Sequence, residues 1–177
     1  MDTSVFSLGS RAVGLPSGKR EEISFLRDIL RQCGRQWKED VLKLPDDFTS
    51  TEEGSLHFQE EGEEIRKTPQ LQMILPFREV ESLEKHGKAI NFPFTTYAVE
   101  DDRADFTARN VAVLPGENMQ QGIRFELLGL GLIGRISARG LSEKQVEPLL
   151  GAASCLLAMG FSMAEVLDLI NRRPWGK

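Results

Sequence analysis

The chain has 177 residues, 40% apolar and 28% charged, enough apolar material for one buried core. Its formal net charge is −5, which excludes a strongly basic nucleic-acid binder, because phosphate binding needs a concentrated positive surface. No direct, sequence-specific nucleic-acid partner is therefore expected.

Cys33 and Cys155 are the only cysteines and lie far apart, so a secreted disulfide framework is excluded and a reducing, cytoplasmic location is expected. The opening MDTSVFSLGS has neither the basic n-region nor the apolar stretch of a signal peptide. The longest mostly apolar run, LLGAASCLLAMGF, is too short for a transmembrane segment.

Residues 1–18 carry Ser, Gly and Pro with little periodicity and read as a flexible arm ending at GLPSG. Residues 19–177 read as a single α+β domain. An amphipathic helix is expected from about Lys19 to Lys43. Its apolar positions Ile23, Leu26, Leu30, Cys33, Trp37, Val41 and Leu44 recur every three or four residues. Pro45 would stop it, and Gly34 would weaken or bend it. The stripe faces either the domain's own core or another copy.

Residues 46–64 contain many carboxylates and no Lys or Arg. They read as a solvated loop holding a short strand, SLHF, with an acidic surface for a basic partner as the sharper reading. The middle of the chain reads as a mostly antiparallel sheet. In QLQMILPF, Leu71, Met73, Leu75 and Phe77 alternate with Gln72, Ile74 and Pro76, and INFPFTTYAVE and DFTARNVAVLP supply further strands. Pro76 and Pro93 suggest edges or bulges. EDDRAD at 100–105 lacks the ligand order of a Ca²⁺ loop and reads as a turn.

Two C-terminal helices are expected. Ser142 with Gln145 and Ser162 with Glu165 fit capping boxes, and Gly160 suits a C-terminal cap. Pro148 sits late for a first turn. The tail RRPWGK is basic and presents Trp175 as an exposed aromatic.

GLGLIG at 129–134 spells the G-x-G-x-x-G of a dinucleotide-binding loop. The neighbours deny that reading. RISARG after Gly134 reads as more strand, no acidic residue stands where a ribose would need one, and too little chain remains for a mononucleotide-binding half. The apolar set changes parity after Leu128, so the stretch reads as one long bent strand with a bulge.

His57 and His86 lie in no recognisable catalytic signature, and neither a nucleophile elbow nor a phosphate loop is present. No clustered spacing of zinc ligands occurs. No catalytic, cofactor-binding or metal residue is assigned, and the chain is expected not to be an enzyme.

The whole layout, with the strand IRFELLGLGLIGRI and the helical end LSEKQVEPLLGAASCLLAMGF, resembles the small matrix proteins of negative-strand RNA viruses, notably plant rhabdoviruses that mature in the cytoplasm. The resemblance implies a structural protein that forms homo-oligomers, binds the nucleocapsid, and contacts the inner membrane face and glycoprotein. It also implies location in the host cytoplasm and virion. The acidic balance and the absence of a P-P-x-Y motif depart from that family. Peripheral membrane contact would fall to Phe6, Lys19, Arg20 and the tail. The candidate interaction residues are Trp37, Arg172, Arg173, Trp175 and Lys177. The alternative is a small acidic adaptor or secretion chaperone that binds a protein client.

Overall fold

The computed structural model describes residues 2–43, 70–88, 90, 92–116 and 121–176. They form an eight-stranded mixed sheet with helices on both faces. The strands are β1 (Asp2–Leu8), β2 (Arg11–Pro16), β3 (Lys38–Lys43), β4 (Gln70–Pro76), β5 (Phe94–Val99), β6 (Phe106–Leu114), β7 (Gly122–Gly129) and β8 (Leu132–Arg139). The helices are α1 (Arg20–Leu30), α2 (Phe77–Lys85), α3 (Val146–Ala158) and α4 (Met163–Asn171). The spatial order is β3-β1-β2-β4-β5-β6-β7-β8. Antiparallel pairings build both ends of the sheet, and parallel pairings join β2, β4, β5 and β6 in the centre. Mixed α and β content agrees with the expected class. No described helix is long and apolar enough to cross a membrane.

Residues 2–16 are not an arm. They form the β1–β2 hairpin, turned at Gly9, and it lies between β3 and β4. The segments TSVF and AVGL are buried on both faces of the sheet. A strand covered on both sides has no polar face, so it shows no alternation to read.

The expected long N-terminal helix is also corrected. The stripe holds through Ile23, Leu26 and Leu30, and α1 then closes with short-range bonds from Gln32 N to Ile29 O and Cys33 N to Leu30 O. Gly34 takes φ +68°, a left-handed conformation that ends a helix. Cys33 and Trp37 still pack against the core, now from a loop, while residues 38–43 extend as the edge strand β3. Val41 is left 65% exposed.

Alternation places Leu71, Met73 and Leu75 on one face of β4 with Val80 of α2, and Ile74 on the other. The larger core lies on that other face. There Phe6, Val13, Leu15, Tyr97, Ile123, Phe125, Leu127 and Ile136 meet α1, α3 and α4. Helix α3 runs between the sheet and α1, and ten of its thirteen residues are buried. Both capping boxes form: Ser142 N donates to Gln145 Oε1 at 2.9 Å, and Ser162 N to Glu165 Oε2 at 2.7 Å. A 3-10 turn over Glu143–Gln145 precedes α3, so Pro148 falls in its first turn, where no backbone donor is needed.

The β5–β6 link is only residues 100–105 although the strands are parallel. It closes because the overlap is short, from Tyr97↔Phe106 to Val99↔Ala108, and the chain doubles back at Glu100, φ +55°. Asp105 fastens the return. Its carboxylate accepts from Thr96 N at 2.8 Å and Thr96 Oγ1 at 3.0 Å. EDDRAD is thus a turn, with Arg103 bridging Asp101 and Glu81. The SLHF strand expected within 46–64 lies outside the described residues.

Candidate interaction surface

The glycine motif is a hairpin, not a bent strand. Strands β7 and β8 pair antiparallel from Gly122↔Arg139 to Gly129↔Leu132. Leu130 (φ +54°) and Gly131 (φ +72°) form the two-residue turn, with both central residues left-handed as a type I′ turn requires. The other two glycines answer to packing. A side chain at Gly129 would strike the Phe106 ring, and one at Gly134 would come within 2.9 Å of Leu167 and Met163 on α4. Gly134 therefore lets α4 lie close on β8. Core parity persists through the turn: Ile123, Phe125 and Leu127 face the same core as Ile136 and Ala138.

The turn carries apolar side chains into water. Leu130 is 70% exposed, Leu132 52% and Ile133 69%, and Leu128 pairs beside Ile133 on the open face. Leu132 and Ile133 are successive residues of β8 and point to opposite faces, so the exposed apolar groups wrap the tip, and covering them would release about 25 cal/mol per Å² of apolar area.

Behind the tip, the register places Arg109, Glu126 and Arg135 in one row across β6, β7 and β8. A bulge after Arg109 turns Asn110 to φ +53°, and its Nδ2 donates to Glu126 Oε2 at 2.7 Å. Arg135 stands 3.9 Å from Glu126, and Arg109 pairs with Asp102. A cavity of about 330 Å³ opens here, lined by Asn110, Arg124, Phe125, Glu126 and Arg135.

The residues expected to interact scatter. Trp175 is 7% exposed: its indole Nε1 donates to Ile170 O at 3.1 Å, and it packs edge-on to Phe25 at 5.3 Å. Arg173 donates to Asp28 O at 3.0 Å and lies over the Trp175 ring. Arg172 is exposed and paired with Asp168 at 2.6 Å. Trp37 is half-buried against Phe6, 6.1 Å between centroids. Phe6 is itself in the core, which removes it as a membrane contact. Lys177 lies outside the described residues. The tail thus folds back onto α1 and α4.

The β2–α1 junction is strand, tight turn and helix, the arrangement that can cradle an anion at a helix N-terminus. Here Lys19 is paired with Glu79, and Glu21 and Glu22 occupy the first turn. The helix supplies its own negative charge at its positive end.

Glu22 is buried and accepts from Tyr97 Oη at 3.1 Å. Burial, reinforced by the Glu22 carboxylate, pushes the Tyr97 hydroxyl far above its usual range and raises the Cys155 thiol likewise. Both stay protonated and unreactive at neutral pH.

No protein-family model and no curated protein matches the chain. Partial likeness to solved structures exists. Crystal structure I of MurF from Acinetobacter baumannii aligns at TM-score 0.47 and 18% identity over 62% of this chain and 22% of that one. Crystal structure II of the same MurF aligns at 0.44 and 17% over 57% and 20%. A UDP-N-acetylmuramoyl-L-alanyl-D-glutamate–2,6-diaminopimelate ligase aligns at 0.46 and 14% over 59% and 21%. The chain spans about a fifth of the length of these ligases. At these values the likeness defines neither family nor role.

The hairpin tip and the arginine row were missed in the sequence. The one usable signal was Leu-Gly between two alternating runs, disguised because Leu is rare in a left-handed turn.

Proposed function

We propose that this protein is a non-enzymatic structural protein that self-associates through the β7–β8 hairpin. The observation that supports it is the exposure of Leu130, Leu132 and Ile133 together at one tip. Burial keeps the Tyr97 hydroxyl and the Cys155 thiol protonated, which takes these two groups out of the candidates for catalysis. In its specific form the proposal is a viral matrix protein that links ribonucleoprotein to membrane or glycoprotein during assembly.

Sedimentation velocity at tens of micromolar, in low and moderate salt, tests it. The native chain should form oligomers, and Ile133→Lys should shift them to monomer while leaving the thermal midpoint within a few degrees. A strict monomer in both salts would count against the proposal. Recovery of one stoichiometric foreign client from the native host, without self-association, would favour the adaptor reading instead.

A further inference from the structure

Among the described residues no helix covers the sheet face opposite α3 and α4 over β6, β7 and β8, and that face is rich in arginine. Register puts Arg109, Arg124, Arg135 and Arg139 on this face with Glu126 as the one carboxylate in their rows. Arg124 and Arg139 enter no ion pair among the described residues. A chain of net charge −5 has concentrated cations on one open face. We propose that this face docks the carboxylate-rich block 46–64 of a second copy of the chain, an inference that rests on the self-association reading.

Charge complementarity is the main argument. The block carries eight carboxylates and no Lys or Arg, against four arginines on the face, of which Arg109 is paired with Asp102 and Arg135 stands near Glu126 while Arg124 and Arg139 are left without a carboxylate partner among the described residues. It also interleaves Leu56 and Phe58 among its acids, and Leu128 and Ile133 stand beside the arginines to receive apolar side chains.

A second copy is the occupant that also accounts for the hairpin tip, where Leu130 and Ile133 stand open to another chain. Docking of the block within its own chain would leave self-association unchanged when these charges are reversed.

Nucleic acid fits less well. Phe125, the aromatic lining the cavity, is fully buried, so among the described residues the cavity offers no ring for base stacking. Net negative charge also repels a polyanion.

The test is reciprocal charge reversal in the full-length chain, read by sedimentation velocity at about 50 and 500 mM salt, with the thermal midpoint of each variant confirming its fold. R124E/R135E should weaken self-association about tenfold or more, and so should E60K/E61K/E63K/E64K. Mixing the two variants should restore association, because each then offers the other an opposite charge. High salt should weaken the native oligomer. If both variants associate like the native chain, or the mixture fails to recover, the docking inference falls while self-association stands. If the native chain is monomeric throughout, both fall. If a labelled 20-nucleotide single-stranded RNA binds the native chain and not R124E/R135E, the face belongs to nucleic acid and the inference is overturned.

Discussion

Asn171 closes the sheet edge against Ser137. Its Oδ1 accepts from Ser137 N at 2.9 Å, and its Nδ2 donates to Arg135 O at 3.0 Å. One amide at the end of α4 thus satisfies two outward backbone groups of β8, one donor and one acceptor, as a neighbouring strand would. Unpaired edges invite pairing with other chains. Asn171→Leu should cost roughly 1–2 kcal/mol of stability and raise aggregation. Asn171→Asp should cost at least as much, since a carboxylate oxygen would then face the Arg135 carbonyl. Urea unfolding with light scattering reads both effects, and an Asp variant as stable as the native chain would refute the role of the Nδ2 donor.

Gly131 and Gly134 are predicted to fail for different reasons. Gly131 has open space around a would-be side chain but sits at φ +72°. Gly131→Asn should be tolerated, and Gly131→Val should cost about 1–3 kcal/mol through backbone strain. Gly134 has the packing of α4 against it. Gly134→Val should cost about as much by overpacking, and Leu167→Ala should partly relieve it. A double-mutant cycle on unfolding free energies separates the two cases. Nucleotide should raise the thermal midpoint of none of these proteins.

The buried Glu22–Tyr97 pair should be sensitive to loss of one member. Tyr97→Phe removes the donor and leaves a buried carboxylate less satisfied, at a cost of about 1–3 kcal/mol. Gly151 on α3 lets both approach: a side chain there would come within 2.9 Å of Glu22 Cγ and Tyr97 Cζ. Gly151→Ala should also destabilise, by about 1–3 kcal/mol. Denaturant midpoints for both variants check this.

Glu39 should contribute to acid unfolding. Arg27 donates to both its oxygens, at 2.9 and 2.6 Å, and this hydrogen bonding holds its carboxyl below the ordinary 4.5. A lowered folded value means the contribution is present above about pH 4.5 and is lost as pH falls through the folded value. With both side chains partly in solvent it amounts to roughly 0.5–1 kcal/mol. Glu39→Gln should lower stability at pH 7 by that amount and converge on the native chain as pH falls below the folded value. Thermal midpoints across that range decide it.

What the chain declares locally was legible. The capping boxes at Ser142 and Ser162 and the alternation at Leu71, Met73 and Leu75 all form. What depends on partners was not. The spacing of Ile23, Leu26, Leu30, Cys33 and Trp37 fits a helix, yet Cys33 and Trp37 reach the core equally well from a loop. TSVF and AVGL lack alternation because both their faces are covered. The arginine face needs Arg109, Arg124 and Arg135 to be aligned by pairing register, which no local window contains.

The two tryptophans of the chain report on different seams. Trp37 leans on Phe6 of the opening hairpin, whereas Trp175 is sealed against Phe25 of α1 by the returning tail. Indole emission from each single-tryptophan variant therefore distinguishes loosening of one seam from loosening of the other. If both change at one denaturant concentration, the opening hairpin and the closing tail belong to one cooperative unit.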